Sequence, residues 1–253
     1  MILVDMSQIM MASIMMQMHM SKKSEPDEEM VRHMILNSLR MYRTRFLSEF
    51  GEMVLCYDSR HYWRRDYFPE YKHSRRKSRG TDDKNWDIIF NCLNTIKEEI
   101  KSNMPYKSVE VYGAEADDVI ATLCSESSNE VMILSGDKDF IQLQKFPNVK
   151  QYSPITKKMI NGMNPDDYLK EHVLKGDTSD GVPNVLSPDN TFVDGIRQRP
   201  LSKKKIATMV EGDFPNDEVK RNYQRNKKLI DLTCSPDELR SEILDTYKSA
   251  PVN

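Results

Sequence analysis

VEVYGAEADDVIATLCSESSNEVMILSGDKDF, residues 109–140, is the stretch on which the fold turns. Two short β-prone runs, VEVY (109–112) and VMILS (131–135), flank a helical pattern over about 115–126. Each run ends at a glycine that opens an acidic turn: Gly113 before Glu115, Asp117 and Asp118, and Gly136 before Asp137 and Asp139. Strand, helix and strand joined this tightly read as a βαβ unit, which requires parallel strands. Working outward, ILV (2–4) leads to a helix ending near 18, a second helix covers roughly 27–50, and MVLCY (53–57) is another strand. A helix follows over about 84–103, opened by Asp82 and Asp83. Beyond the quoted stretch come a short helix at 139–144 and a strand VKQY (149–152). The alternation predicts an α/β fold with a mostly parallel sheet flanked by helices.

From about residue 164 the pattern changes. PDDYLKEHVLKGD, PLSKKKIATMV, NDEVKRNYQRNKKLIDL and PDELRSEILDTYK all read as helices, with no strand between them. Residues 183–200 hold three prolines and one glycine without periodicity, which predicts a loop or insertion. The expected organisation is a core over 1–160, containing a basic segment at 60–84, and a helical part over 161–253.

Composition narrows the class. The 253 residues are 38% hydrophobic and 30% charged, with a mean hydropathy of −0.66. No run of about 18 apolar residues occurs, so a membrane span is excluded. Cys56, Cys92, Cys124 and Cys234 form no C-x-x-C pair and read as reduced thiols of an intracellular protein. The histidines show no zinc spacing, the N-terminus lacks the basic leader of a signal peptide, and neither glycine-rich nucleotide loop is present. Seventeen methionines scatter among apolar positions and read as adaptable core filler rather than a Met-rich groove. The formal charge of −2, read alone, argues against a nucleic-acid partner.

The distribution of charge argues otherwise. In an open parallel sheet, ligands bind beyond the carboxyl ends of the strands. Those ends deliver Asp5, Asp58, Glu115, Asp117, Asp118, Asp137 and Asp139 to one edge. One aspartate after a strand is an ordinary helix cap; seven converging carboxylates would repel one another unless cations intervene. Oxygen-ligated divalent ions, Mg²⁺ or Mn²⁺, resolve the repulsion, and a pair of them is the usual engine of phosphodiester hydrolysis. A calcium-storage site is the rival, but its contiguous D-x-[DN]-x-[DN]-G loop is missing.

Residues 60–80, RHYWRRDYFPEYKHSRRKSRG, carry a local charge of +6, which leaves about −8 for the remainder. Tyr62, Trp63, Tyr67, Phe68 and Tyr71 are interleaved with the cations, a mixture suited to phosphates and stacked bases. A solvated loop is the plainer reading of such a run alone, but this one leaves the acidic edge immediately after Asp58 and would overhang it, which favours substrate contact. In the second half, Lys203, Lys204 and Lys205 at a helix start offer a phosphate contact. LKGDTSDGVPNV (174–185) joins helices through a Gly-Asp-x-x-Asp-Gly turn, read either as part of a phosphate-contact element or with Asp177 and Asp180 as turn and cap residues.

Taken together, strand-D-x-S, W-R-x-x-x-x-P-E-Y-K-x-x-R, E-A-D-D, S-G-D-K-D-F and G-D-x-S-D, in this order over residues 2–210, resemble the structure-specific 5′ nuclease, or flap endonuclease, superfamily. VDMSQI, VRHMILNSL, YWRRDY, FPNVKQYSP and LKGD are most similar to its bacteriophage ribonuclease H branch. The resemblance implies a PIN-like core and an Mg²⁺-dependent 5′→3′ nuclease, using two ions with Mn²⁺ as substitute, that removes RNA primers and short DNA flaps during replication. It further implies that Asp5, Asp58, Glu115, Asp117, Asp137, Asp139 and Asp180 are metal-site acids, with Asp118 and Asp177 at outer acidic positions. Lys72 and Arg75 match basic positions beside the scissile region. Arg64, Arg65, Tyr71 and Arg76 become nucleic-acid contacts, together with Lys203, Lys204 and Lys205 on a helix–hairpin–helix-like element. Water would be activated by metal, since no histidine lies in the acidic motifs.

Gly181 stands where many members have Asn, and the 183–200 segment interrupts the hairpin, so their potassium site is not carried over. The phage relatives run further past the final helix, and contacts of that tail with single-strand-binding or clamp proteins are not carried over either. The implied partners are DNA and RNA–DNA hybrid duplexes with 5′ ends or flaps. The chain is expected to be a monomer in the cytoplasm, that of the host bacterium if phage-encoded. Two other readings share the same residues: a PIN-type ribonuclease without a duplex-gripping half, and a non-catalytic protein that binds branched DNA.

Overall fold

Continuous apolar runs explain the sheet. In β1 (Ile2–Asp5), β2 (Met53–Cys56) and β4 (Val131–Leu134), successive side chains pass to opposite faces and all are buried. Ile2, Val4, Met53, Leu55, Met132 and Leu134 face one core with α1 (Met6–Ser21), α2 (Glu28–Phe50) and α4 (Trp86–Asn103). Leu3, Val54, Cys56, Val131 and Ile133 face a second core with α5 (Ala116–Glu126). This is a computed structural model, and it describes residues 1–73, 75, 80 and 84–251. Among them, no helix is long and apolar enough to cross a membrane. Cys56, Cys92 and Cys124 are buried free thiols, and Cys234 is half-buried.

The sheet runs β3-β2-β1-β4-β5-β6, with β3 at Lys107–Val109, β5 at Val149–Ser153 and β6 at Lys158–Ile160. Neighbours are parallel from β3 to β5. The register Asp5↔Cys56 and Val4↔Leu134 brings the carboxyl ends of three strands level, so the acids that follow share one edge.

Two details differ from the sequence reading. The run expected as a strand at 109–112 is paired only over 107–109. Tyr57 N–H reaches Val109 O at 3.0 Å, and Gly113, at φ +87°, then turns the chain toward Glu115. β6 is not evident in the sequence: it is a three-residue, largely exposed strand antiparallel to β5, too short to show a pattern.

The helical part comprises α6 (Pro165–Lys175), α7 (Lys203–Val210), α8 (Asp217–Ile230) and α9 (Asp237–Ser249). Its start near 164 matches the sequence, but a boundary near 160 does not divide the chain cleanly. Leu239 and Ile243 of α9 belong to the second sheet core, and Lys107 Nζ donates to Tyr247 O at 3.0 Å. Residues 183–200 form no helix or strand, as expected, yet they are anchored. Asn184 Nδ2 donates to Arg199 O at 2.9 Å, Asn226 Nδ2 to Pro183 O at 2.9 Å, and Asp189 pairs with Arg221 and Arg225. The methionines split as well: Met6, Met10 and Met18 fill the first core, whereas Met16 and Met20 are exposed.

Candidate metal-dependent active site

The acids arrive at the edge from strand ends or from the turns just beyond them, and several also cap the helix that follows. Asp5 Oδ1 accepts from Gln8 N–H at 3.0 Å and caps α1. Asp137 accepts from Asp139 N–H at 2.9 Å and caps the 3₁₀ helix Lys138–Lys145. Asp58 accepts from Ser7 Oγ and Ala116 N–H, both at 2.7 Å. One carboxylate thus ends a strand, starts a helix and still faces the cleft, so capping does not remove it from the cleft.

A cleft of ≈ 800 Å³ brings together Asp5, Asp58, Asp117, Asp137, Asp139, Asp177 and Asp180 with Lys72 and Arg75. Burial, reinforced by Asp58, pushes the Asp5 carboxyl up to about 6. Burial, with Asp137 and Asp5 nearby, drives Asp117 well above the usual range, and burial with Asp139 raises Asp137. These shifts have the sign expected of carboxylates crowded without cations. The donor set is all oxygen over most of the cleft, which suits a hard divalent ion. Ser135 Oγ steadies Asp5 Oδ2 at 2.8 Å, and Gln8 Oε1 accepts from Gly136 N–H at 2.6 Å.

At one side of the cleft the protein supplies cations itself. Lys72, in the left-handed region at φ +57°, pairs with Glu115 and lies 3.5 Å from Asp180. Arg75 pairs with Asp180. Burial opposes the Lys72 charge, but Asp180 and Glu115 outweigh it and raise the group. Glu115 therefore lies beneath Lys72, buried, and is not among the cleft-lining residues.

Several expected roles change. Asp118 does not face the cleft: it is fully buried, accepting from Arg64 at 2.8 Å, Glu115 N–H at 2.9 Å and Ser235 Oγ at 2.7 Å. Both of its oxygens are occupied by protein donors, and it does not line the cleft. Arg64, expected to touch substrate, is also buried; it donates to Leu229 O at 2.9 Å and Glu115 at 3.0 Å. Tyr71 is buried as well, its hydroxyl donating to Asp180 at 2.8 Å and facing Glu115 at 3.1 Å. Phe68 and Tyr71 pack with Val173, Val182, Leu229 and Ile230, so much of the aromatic interleaving is core. Arg65 is half-buried, 4.5 Å over the Tyr62 ring. Lys203, Lys204 and Lys205 are exposed on the first turn of α7, outside the cleft lining. Arg76, with Asp82 and Asp83, lies outside the described residues.

His172 carries no motif that marks it in the sequence. It sits on the last turn of α6, its Nε2 3.1 Å from Asp139 and 3.9 Å from Asp177. Burial disfavours the imidazolium, but Asp139 and Asp177 outweigh burial and raise it. Its spacing to Asp177 carries no motif; only the packing of α6 against the 3₁₀ helix brings the ring to Asp139.

With this geometry in place, comparison with known proteins is specific. A family model described as 5'-3' exonuclease, N-terminal resolvase-like domain, matches residues 1–173. The Ribonuclease H of Enterobacteria phage T4 is 34% identical, over 98% of this chain and 86% of that protein. Flap endonuclease Xni of Shewanella sp. (strain MR-4) is 29% identical, over 49% of this chain and 48% of its own. In structure, the chain resembles a phage T5 5'-exonuclease with divalent metal ions (zinc) bound, at a TM-score of 0.67, 15% identity and 98% coverage of both chains. A phage T5 flap endonuclease in complex with DNA and metal ions gives a TM-score of 0.66 at 14% identity, covering 98% of this chain and 99% of the other. At these identities the structural likeness speaks for the fold.

Proposed function

The chain belongs to the 5′-3′ exonuclease family, and from that membership we propose that it hydrolyses phosphodiester bonds from the 5′ ends of RNA–DNA hybrids and DNA duplexes, short flaps included. The cofactor is a pair of divalent cations, magnesium in the first instance. The observation that carries this reading is the cleft itself, where seven aspartates meet Lys72 and Arg75 at the carboxyl edge of the sheet. Asp5, Asp58, Asp117 and Asp137 would hold one ion, and Asp139, Asp177 and Asp180 the other. Bound there, the ions supply an acidified water and a Lewis acid for the leaving oxygen.

The chain's own groups do the rest. Lys72 and Arg75, preset against Glu115 and Asp180, offer two cations to the charge that grows on the scissile phosphate. Arg64 and Asp118 fix Glu115, which in turn holds Lys72 in place. Ser135 and Ser7 orient Asp5 and Asp58. The names Ribonuclease H and flap endonuclease, borne by the relatives, support the substrate range.

The test is cleavage of a 5′-labelled RNA–DNA hybrid and of a flapped duplex with Mg²⁺ or Mn²⁺. Cleavage from the 5′ end is expected, and chelation should abolish it. Asp137→Asn should lower the rate at least about 10²-fold, since a charged ligand is lost, with circular dichroism unchanged. Intact 5′ ends in both metals would sink the reading, and parental turnover by Asp137→Asn would remove that residue from the site.

A further inference from the structure

Tyr112 is the most exposed large aromatic side chain among the described residues, at 74%. Single exposed apolar residues are ordinary and need no explanation. This one is not single. Its ring is stacked on His61, with centroids 5.4 Å apart and planes at 18°. His61 is in turn held by Asp66, its Nε2 2.8 Å from Oδ2.

The backbones beneath the two rings are tied together. Tyr62 and Gly113 form an isolated parallel bridge, Trp63 N–H donates to Gly113 O at 2.9 Å, and Ser59 N–H donates to Ala114 O at 3.0 Å. The pair also has a defined place relative to the acids. His61 comes three residues after Asp58, Tyr112 three before Glu115, and the intervening Ser59 and Arg60 line the cleft. An aromatic pair is therefore fixed on the loops that follow β2 and β3, adjoining the cleft-lining Ser59 and Arg60, with one tyrosine face on His61 and most of the ring in solvent.

We infer that the His61–Tyr112 pair is a stacking site for an unpaired nucleobase of a single-stranded 5′ tail entering the cleft. This rests on the nuclease reading, which supplies the strand. A base inside a duplex has both faces covered by its neighbours, whereas an unpaired base presents a π-face to any aromatic, whatever its identity. A lone ring pair is far too small for a protein interface, which needs about 800 Å² per partner. Two of the five aromatics interleaved with the basic segment, Phe68 and Tyr71, are buried and not available to a base, whereas the His61–Tyr112 pair already presents a stacked, exposed ring. The platform predicts a preference for tailed over blunt ends without a preference for sequence.

The test uses duplexes with a 5′ tail whose first unpaired base is 2-aminopurine, and the same duplexes without the tail. Stopped-flow fluorescence reads stacking before cleavage, and kcat/KM reads its consequence. The parent should quench the probe. Tyr112→Ala should lose the quench and lose roughly tenfold more kcat/KM on the tailed duplex than on the untailed one. Tyr112→Phe should restore both, and His61→Ala should weaken the quench. Persistence of the quench in Tyr112→Ala, or equal losses on both duplexes, would overturn the inference while leaving the nuclease reading intact. A parent that cleaves neither duplex would overturn both.

Discussion

Neighbouring acids of one motif have different fates at the scale of the residue. Asp117 and Asp118 are adjacent on the first turn of α5, and successive helical side chains point about 100° apart. One therefore looks into the cleft, and the other turns under the helix to Arg64 and Ser235. The E-A-D-D string announces acids at a strand end; it cannot say which faces the cleft, because that depends on what packs behind the helix. Asp5 shows what facing the cleft costs. Its carboxyl, ordinarily at 3.8, is pushed up to about 6 by burial and Asp58. Between those values the metal-free folded protein keeps a proton that the unfolded chain has lost. The associated stability is present below about pH 4 and gone above about pH 6, a loss on the order of 3 kcal/mol. Asparagine caps a helix as well as aspartate and carries no charge. In chelator at pH 7.5, Asp5→Asn should be more stable than the parent by up to that amount, and the gap should close near pH 4. Urea unfolding across that pH range checks it, and parallel curves for the two proteins would refute it.

At the scale of the element, α3 (Trp63–Tyr67) shows why the basic segment could be located but not interpreted. Its cations are plain in the sequence, eight among residues 60–80. The burial of Arg64 is set by partners more than 50 residues away. Arg64 is 1% exposed and bridges Glu115, Asp118 and the Leu229 carbonyl, so α3 fastens the sheet edge to the end of α8. Removing one partner of such a cluster leaves buried charge uncompensated. Arg64→Ala should cost about 3–5 kcal/mol, measurable as a lower urea midpoint; a cost under about 1 kcal/mol would mean the cluster is solvated. The long helices and buried strands were legible because apolar periodicity over many residues reports directly on burial. The extent of β3 was not, since VEVY alternates equally well inside or outside a sheet, and β2 alone decides where pairing stops.

For the whole molecule, the near-zero net charge had argued against a nucleic-acid partner, and charge proves informative only by position. Asp-rich and Lys/Arg-bearing walls share one cleft, and a sum over the chain cancels the feature that matters. Chain order misleads in a similar way about domains. The helical half begins near residue 164, and nothing in PDELRSEILDTYK distinguishes a helix of that half from one that returns to the sheet. The structure returns it: Ile243 is fully buried among Leu3, Val54, Val109 and Ile120 of the core. The final helix is therefore a structural part of the sheet domain, packed some 130 residues away in sequence from α5 and β3. Ile243→Ala should lower stability by about 2–5 kcal/mol through the cavity it leaves. Because α9 closes the core on which the acidic edge is built, unfolding should stay a single transition whose midpoint shifts, with near-UV dichroism and loss of 5′ cleavage moving together on heating. A parental midpoint, or a second transition confined to the C-terminal helices, would show instead that α9 belongs to an independently folding half.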